Sequence, residues 1–176
     1  MNENRLTNCA GLAAMPKLIE LNLNGNRLTN LSDLRGLGSL KKLDVGKNKL
    51  ATLEGFPLLP ELETLDMSEN AIEANGDKEL VHLGECENLK TLLMAGNPWV
   101  DEKGDDFKKE VLIALQQLNI VQVNDSEPVT AEDRQEAKVE KTAREQAARE
   151  AEEEARRAAE EAAKNPVEEG EEEAAE

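Results

Sequence analysis

The sequence predicts an α/β solenoid of short parallel strands with 3₁₀ or helical returns, a carboxy-terminal cap, and then a long single helix. Three observations predict it. Asn4, Asn26, Asn48 and Asn70 stand 22 residues apart, and Asn97 follows after 27. The same apolar frame surrounds these asparagines. Beyond Pro128 the composition changes, and residues 131–164 contain neither Gly nor Pro. Self-similarity at a fixed period of this length marks a stacked array whose units bury their apolar faces on one another. The organisation that follows is repeats over residues 1–98, the first of them incomplete, a cap over 99–128, a charged helix over 129–164 and a disordered acidic tail over 165–176.

The frame is readable position by position. The second unit is Leu18-x-x-Leu21-x-Leu23-x-x-Asn26-x-Leu28, the third Leu40-x-x-Leu43-x-Val45-x-x-Asn48-x-Leu50, the fourth Leu62-x-x-Leu65-x-Met67-x-x-Asn70-x-Ile72 and the fifth Leu89-x-x-Leu92-x-Met94-x-x-Asn97-x-Trp99. Alternation along Leu21-x-Leu23 points the leucines inward and Asn22 and Asn24 outward, as on a strand with one buried face. The Asn amide is suited to bond backbone groups at the turn leaving the strand, groups that would otherwise be buried unpaired. After each Asn, apolar residues recur every third position: Leu28, Leu31, Leu34, Leu37 and Leu40, then Leu50, Leu53, Phe56, Leu59 and Leu62. That spacing suits 3₁₀ turns, in which side chains at i and i+3 eclipse. The five extra residues of the last unit fall around Asn75-Gly76-Asp77. The frame resembles the leucine-rich repeat, and its period resembles the short-repeat class typified by a regulatory subunit of protein phosphatase 1. The resemblance implies a solenoid whose strand-lined face is a binding surface.

The first unit begins part-way through the frame. Met1 occupies the place of the last strand leucine, and Leu6, Cys9, Leu12 and Met15 follow in register. End repeats need polar caps, and none precedes this one. Met1, Leu6, Leu12 and Met15 are therefore expected to form an open edge, covered by a partner or by further repeats.

At the other end, Asn97-Pro98-Trp99 and a charged stretch precede residues 107–118, with apolar side chains at helical spacing (Phe107, Val111, Leu112, Leu115, Leu118) and Asp105 and Asp106 suited to a helix start. Residues 120–123 read as a short closing strand. The block resembles the carboxy-terminal cap of several intracellular leucine-rich-repeat families, with Phe107-Lys108 as its aromatic-basic pair. Gln117 stands where those families carry proline, and Asn124-Asp125 is a displaced version of their final acid.

Residues 131–164 hold 11 acidic and 8 basic side chains. Thr130 is placed to cap a helix, with acids in its first turn. Glu-to-Arg or Glu-to-Lys pairs at i, i+4 recur at 140/144, 145/149, 152/156, 153/157 and 160/164, each worth about 0.2–0.5 kcal/mol. The stripe of Ala148, Ala151, Ala155, Ala158 and Ala162 buries too little apolar area for a self-standing coiled coil, but allows close approach along a partner.

The formal charge of −17 divides as −8 on residues 1–130, −3 on 131–164 and −6 on 165–176. A negative solenoid argues against a nucleic-acid backbone or an anionic membrane as partner. The sequence shows no signal peptide and no membrane-crossing run. Cys9 and Cys86 fall at apolar positions of different repeats, so reduced core thiols are expected. No catalytic set, phosphate loop, cofactor motif or metal-ligand cluster can be assembled around the lone His82. The expectation is an intracellular non-enzyme.

A binding surface, by contrast, can be named. Outward strand positions are Glu20, Asn22 and Asn24, then Lys42, Asp44 and Gly46, then Thr64, Asp66 and Ser68, then Thr91, Leu93 and Ala95. Leu93 is the apolar exception, and its continuation towards Trp99 marks both as candidate contacts. The cap followed by Asp133-Arg134-Gln135-Glu136-Ala137-Lys138 and a charged helix resembles ciliary leucine-rich-repeat proteins, in particular those of the axonemal radial spoke, over residues 1 to about 150. That resemblance implies a scaffold of the motile-cilium axoneme, in the cytoskeleton, with other axonemal proteins as partners. Spliceosomal A-prime proteins, acidic nuclear phosphoproteins and the phosphatase regulators share parts of the pattern. They imply the alternative of a soluble phosphatase regulator or a nuclear acidic adaptor.

Overall fold

Successive apolar residues of the three-residue period are tied to one another by their own backbones. In the first return Leu12 N–H bonds Cys9 O (3.1 Å), Met15 bonds Leu12 (3.0 Å) and Leu18 bonds Met15 (3.0 Å). The same i to i−3 links join Leu34 to Leu31 and Leu40 to Leu37, Leu62 to Leu59, and Cys86 to Leu83 and Leu89 to Cys86. Leu12–Ala14, Ser32–Leu34 and Leu80–Leu83 close as 3₁₀ turns. Each residue turns the chain by about one third of a revolution, so every third side chain returns to the core.

The chain, a computed structural model, is described over residues 4–73, 79–122 and 126–164. The extra residues around Asn75-Gly76-Asp77, Met1, Val123, Asn124-Asp125 and the acidic tail 165–176 lie outside them. Strands β1 (Glu20–Asn22), β2 (Lys42–Asp44), β3 (Thr64–Asp66), β4 (Thr91–Leu93) and β5 (Ile120–Gln122) pair in sequence order and in parallel. A strand the pattern did not show, β6 (Ser126–Pro128), pairs antiparallel with β5 and ends the sheet. Leu21, Leu43, Leu65 and Leu92 stand opposite one another across the ladder and are buried, the last three completely.

The frame asparagines bind each repeat to its neighbour. Asn48 Oδ1 accepts the Leu28 N–H of the preceding repeat (3.0 Å). Its Nδ2 lies within bonding distance of Leu23 O (3.0 Å), Val45 O (2.9 Å) and Gly46 O (3.0 Å). Asn26, Asn70 and Asn97 repeat the pattern, accepting from Leu6, Leu50 and Ile72 at 3.1, 3.0 and 3.2 Å. All four are buried polar residues with their amides satisfied by backbone.

The cap departs from expectation in detail. Pro98 has no N–H to continue the backbone link that Lys49 makes to Leu28 and Ala71 makes to Leu50. Trp99 N–H takes Ile72 O instead (2.9 Å), and the chain enters helix α1 (Pro98–Lys103). A 3₁₀ turn, Gly104–Asp106, leads into α2 (Phe107–Ala114). The helix is shorter than the spacing over 107–118 predicts, but Leu115 and Leu118 still reach the core.

Helix α3 (Ala131–Lys164) begins with the expected cap. Asp133 N–H bonds Thr130 Oγ1 (3.1 Å), and Asp133 Oδ2 accepts from Thr130 N–H (2.7 Å) and Oγ1 (2.8 Å). Arg134 donates to Gln116 O (2.7 Å), Leu118 O (2.7 Å) and Asn119 Oδ1 (2.9 Å), groups left at the end of the cap. Lys108 on α2 pairs with Asp133 (2.7 Å), and Ala137 is buried. The chain forms two compact units, Met1–Lys138 and Val139–Glu176. In the second, Glu153 closes on Arg157 at i, i+4 (2.6 Å), as does Glu140 on Arg144 (3.0 Å).

Burial alone raises the Asp133 carboxyl, but the hydrogen bonds from Lys108 and Thr130 outweigh it and hold the group below its ordinary range. A depressed folded pKa contributes stability above the ordinary aspartate value, and that stability is lost as pH falls through the folded value. Asp133→Asn is therefore expected to cost about 1 kcal/mol at pH 7. In parallel denaturation curves the gap between wild type and variant at pH 7 should narrow at a pH below the ordinary aspartate value. An equal gap at both pH values would show that the carboxylate charge is not what holds the helix start.

Candidate partner-binding face

Strand alternation puts Glu20, Asn22, Lys42, Asp44, Thr64, Asp66, Thr91 and Leu93 on one face, exposed or half-buried, between the buried leucines. The register stacks them in columns. Glu20, Lys42, Thr64 and Thr91 form one, and Asn22, Asp44, Asp66 and Leu93 the next. Asn24, Gly46, Ser68 and Ala95 follow two residues further along each chain.

The second and third columns are linked by a recurring short turn. Asn22 Oδ1 accepts Asn24 N–H (3.1 Å), Asp44 Oδ1 accepts Gly46 N–H (3.1 Å) and Asp66 Oδ1 accepts Ser68 N–H (2.9 Å). The carboxamide or carboxylate thus satisfies a backbone donor where the strand pairing stops. Asp44 also receives Asn22 Nδ2 (2.8 Å) and Asn24 Nδ2 (3.1 Å). Glycine at 46 makes this possible, because a Cβ there would stand 2.7 Å from Asn24 Nδ2.

Both margins of the face carry paired charges. Before the strands, Glu63 bonds Lys41 (3.1 Å) and Lys90 (3.2 Å). The bond from Lys41 leads in holding the Glu63 carboxyl below its usual range, and raises Lys41 in return. After the strands, Lys47 meets Glu69 (3.4 Å). On the floor, no cation of the described residues lies within ion-pair distance of Asp44 or Asp66.

Two expected surfaces need correction. Trp99 is completely buried and meets Phe107 edge-on, with ring centroids 5.0 Å apart, so it does not extend the face beyond Leu93. The Asn97-Pro98 turn aims the first turn of α1 into the core, which strand alternation could not show. Its indole N–H has no acceptor in that core. At the open edge, Leu12 is buried together with Cys9, because the first return already stacks on the second. Met15 remains 48% exposed while Leu37, Leu59 and Cys86, its counterparts in later repeats, are fully covered. Leu6 and Leu18 are partly covered, and among the described residues β1 pairs with β2 alone.

Elsewhere the chemistry is sparse. Both cysteines are free and buried, and burial, with Asp33 adding, pushes the Cys9 thiol up to about 11. Among the described residues no group of His, Cys, Asp and Glu could hold a metal ion. In the same residues no helix is long and apolar enough to cross a membrane. A cavity of about 150 Å³ lies between α2 and the first turns of α3, lined by Leu112, Gln116, Arg134, Ala137 and Lys138. The recurring short turn was missed by sequence reasoning. Its signal was present, as Asn or Asp two residues ahead of Asn24, Gly46 and Ser68.

No protein-family model and no curated protein sequence matches the chain. Solved structures do. The Drosophila melanogaster SNF/U2A′ complex is similar with a TM-score of 0.67 at 19% identity, over 78% of this chain and 77% of that one. Internalin C2 of Listeria monocytogenes is similar with a TM-score of 0.52 at 27% identity, over 68% of this chain. The fold is that of the leucine-rich-repeat proteins. The chain spans about half of the internalin C2 chain, 48% of its length.

Proposed function

We propose that this leucine-rich-repeat chain is a non-catalytic scaffold that captures a protein partner on the strand-lined face of β1–β4. One observation carries the reading: Asn22, Asp44 and Asp66 are fixed by hydrogen bonds to their own backbone, so the floor of the face is ordered before anything binds. A rigid platform lowers the conformational entropy lost on association. The finer proposal is a place in the axonemal radial spoke, with helix α3 running along a neighbouring subunit. Its support is the resemblance of the cap and of Asp133 to Lys138 to ciliary leucine-rich-repeat proteins. A nuclear acidic adaptor is the second reading, supported by the net charge of −17 and by the fold-level similarity to SNF/U2A′.

Two measurements test these readings, the first the face and the second the choice between axoneme and nucleus. Hydrogen exchange of the complex captured from extract should slow in β1–β4 and leave the returns at 12–14 and 32–34 unchanged. Protection confined to the returns or to α3 would sink the face as the binding surface. A tagged protein should follow the axoneme in ciliated cells, and a signal confined to the nucleus would select the adaptor instead.

A further inference from the structure

The short turn that recurs on the face fails in one repeat. In three strands the residue at the third position accepts the N–H two residues on, but in β4 that position is Leu93. Three groups are left uncommitted side by side. Ala95 N–H has no acceptor among the described residues, although Ala95 O accepts Glu69 N–H (2.7 Å). Leu93 is a half-buried apolar side chain on the face. Asp66, opposite Leu93 in register, accepts only Ser68 N–H, whereas Asp44 accepts from Asn22, Asn24 and Gly46. Asp66 Oδ2 is therefore open, and the neighbouring acids Glu63 and Glu69 are already paired with lysines.

We propose that Leu93, the Ala95 amide and Asp66 form one recognition patch for an extended protein segment carrying an apolar side chain beside an arginine or lysine. This rests on the reading of the strand-lined face as the binding surface. The charge chooses the partner: an unpaired carboxylate on a chain of net charge −17 selects a cation and repels acidic or phosphorylated segments. The geometry chooses its conformation. Leu93 ends β4 with Ala95 two residues beyond it, and Asp66 lies opposite Leu93 on the adjacent strand about 4.8 Å away, a row of contacts that an extended segment can span. A backbone carbonyl of the segment meets Ala95 N–H, its apolar side chain covers Leu93, and its cation reaches Asp66 Oδ2.

The test pans a display library of linear peptides on the full chain. Enriched peptides should carry Arg or Lys within two positions of an apolar residue. Their affinity should fall about tenfold or more for Asp66→Asn, the loss of one charge-assisted contact. Asp66→Asn keeps an oxygen for Ser68 N–H, so its melting temperature should match wild type. Glu54→Lys, on an exposed return away from the strands, should leave affinity unchanged. Selection of peptides without a basic residue, or of none, overturns the patch. If Lys42→Glu abolishes binding and Asp66→Asn does not, the patch is wrong while the face survives as a binding surface. If face substitutions at Glu20, Lys42, Asp66 and Leu93 all leave affinity intact, both readings fall.

Discussion

Asn48→Ala is expected to lower the unfolding free energy by about 3 kcal/mol or more, among the largest losses available to a single substitution here. The side chain is buried, and its removal takes hydrogen bonds from both sides of a repeat junction. Leu28 N–H is left without its acceptor, while the carbonyls of Leu23, Val45 and Gly46 lose one donor each and keep Asn26 Nδ2, Asn70 Nδ2 and Gly25 N–H. No water replaces them without opening the stack, since Leu28, Val45 and Leu50 around the turn are at most 1% exposed. Asn48→Asp separates the two functions of the amide. It keeps an acceptor for Leu28 but sets a carboxylate against three carbonyl oxygens, so it should be at least as costly as alanine. Urea denaturation of both variants reads this directly. A loss under 1 kcal/mol for both would mean that the junctions are held by leucine packing alone.

Leu92→Arg and Leu93→Arg should separate folding from binding within one strand. Leu92 is fully buried, opposite Leu65 on one side and Val121 on the other. A guanidinium there is a desolvated charge without a partner, and the repeat beside the cap should unfold. Leu93 faces outward, so Leu93→Arg should move stability by about 0.5 kcal/mol or less. It also sets a cation beside Asp66, which fills the patch and neutralises its carboxylate, so partner capture should fall. Thermal melts and pull-downs of the two variants provide the comparison. Full capture by Leu93→Arg would move the contact to another part of the face or to α3.

The repeats were legible because their period is written twice, in the leucines and in the asparagines, and both follow from one requirement. A turn that buries its backbone must be satisfied from within. The outward places of Glu20, Lys42 and Asp66 followed from alternation alone. Trp99 did not, because its direction is set by Pro98, which moves a backbone bond by one residue and redirects the chain. Nor did the early end of α2 at Ala114, since Leu115 and Leu118 satisfy helical spacing and core packing equally well outside a helix. The link from Arg134 to the cap joins residues 15 to 18 apart, beyond the reach of any local pattern.

The asparagine junctions also explain how one unit can be longer than the rest. From Asn70 to Asn97 there are 27 residues in place of 22, yet Asn97 makes the usual bonds to Ile72 N–H (3.2 Å), Met67 O (2.9 Å) and Met94 O (2.7 Å). Construction is thus divided between a fixed seam and a span of free length. New sequence can be grafted into a return without disturbing the neighbouring units, whereas one residue inserted between a strand and its asparagine would slip the seam and every unit beyond it. The return side is where such a chain can acquire new features, while the strand side keeps its spacing.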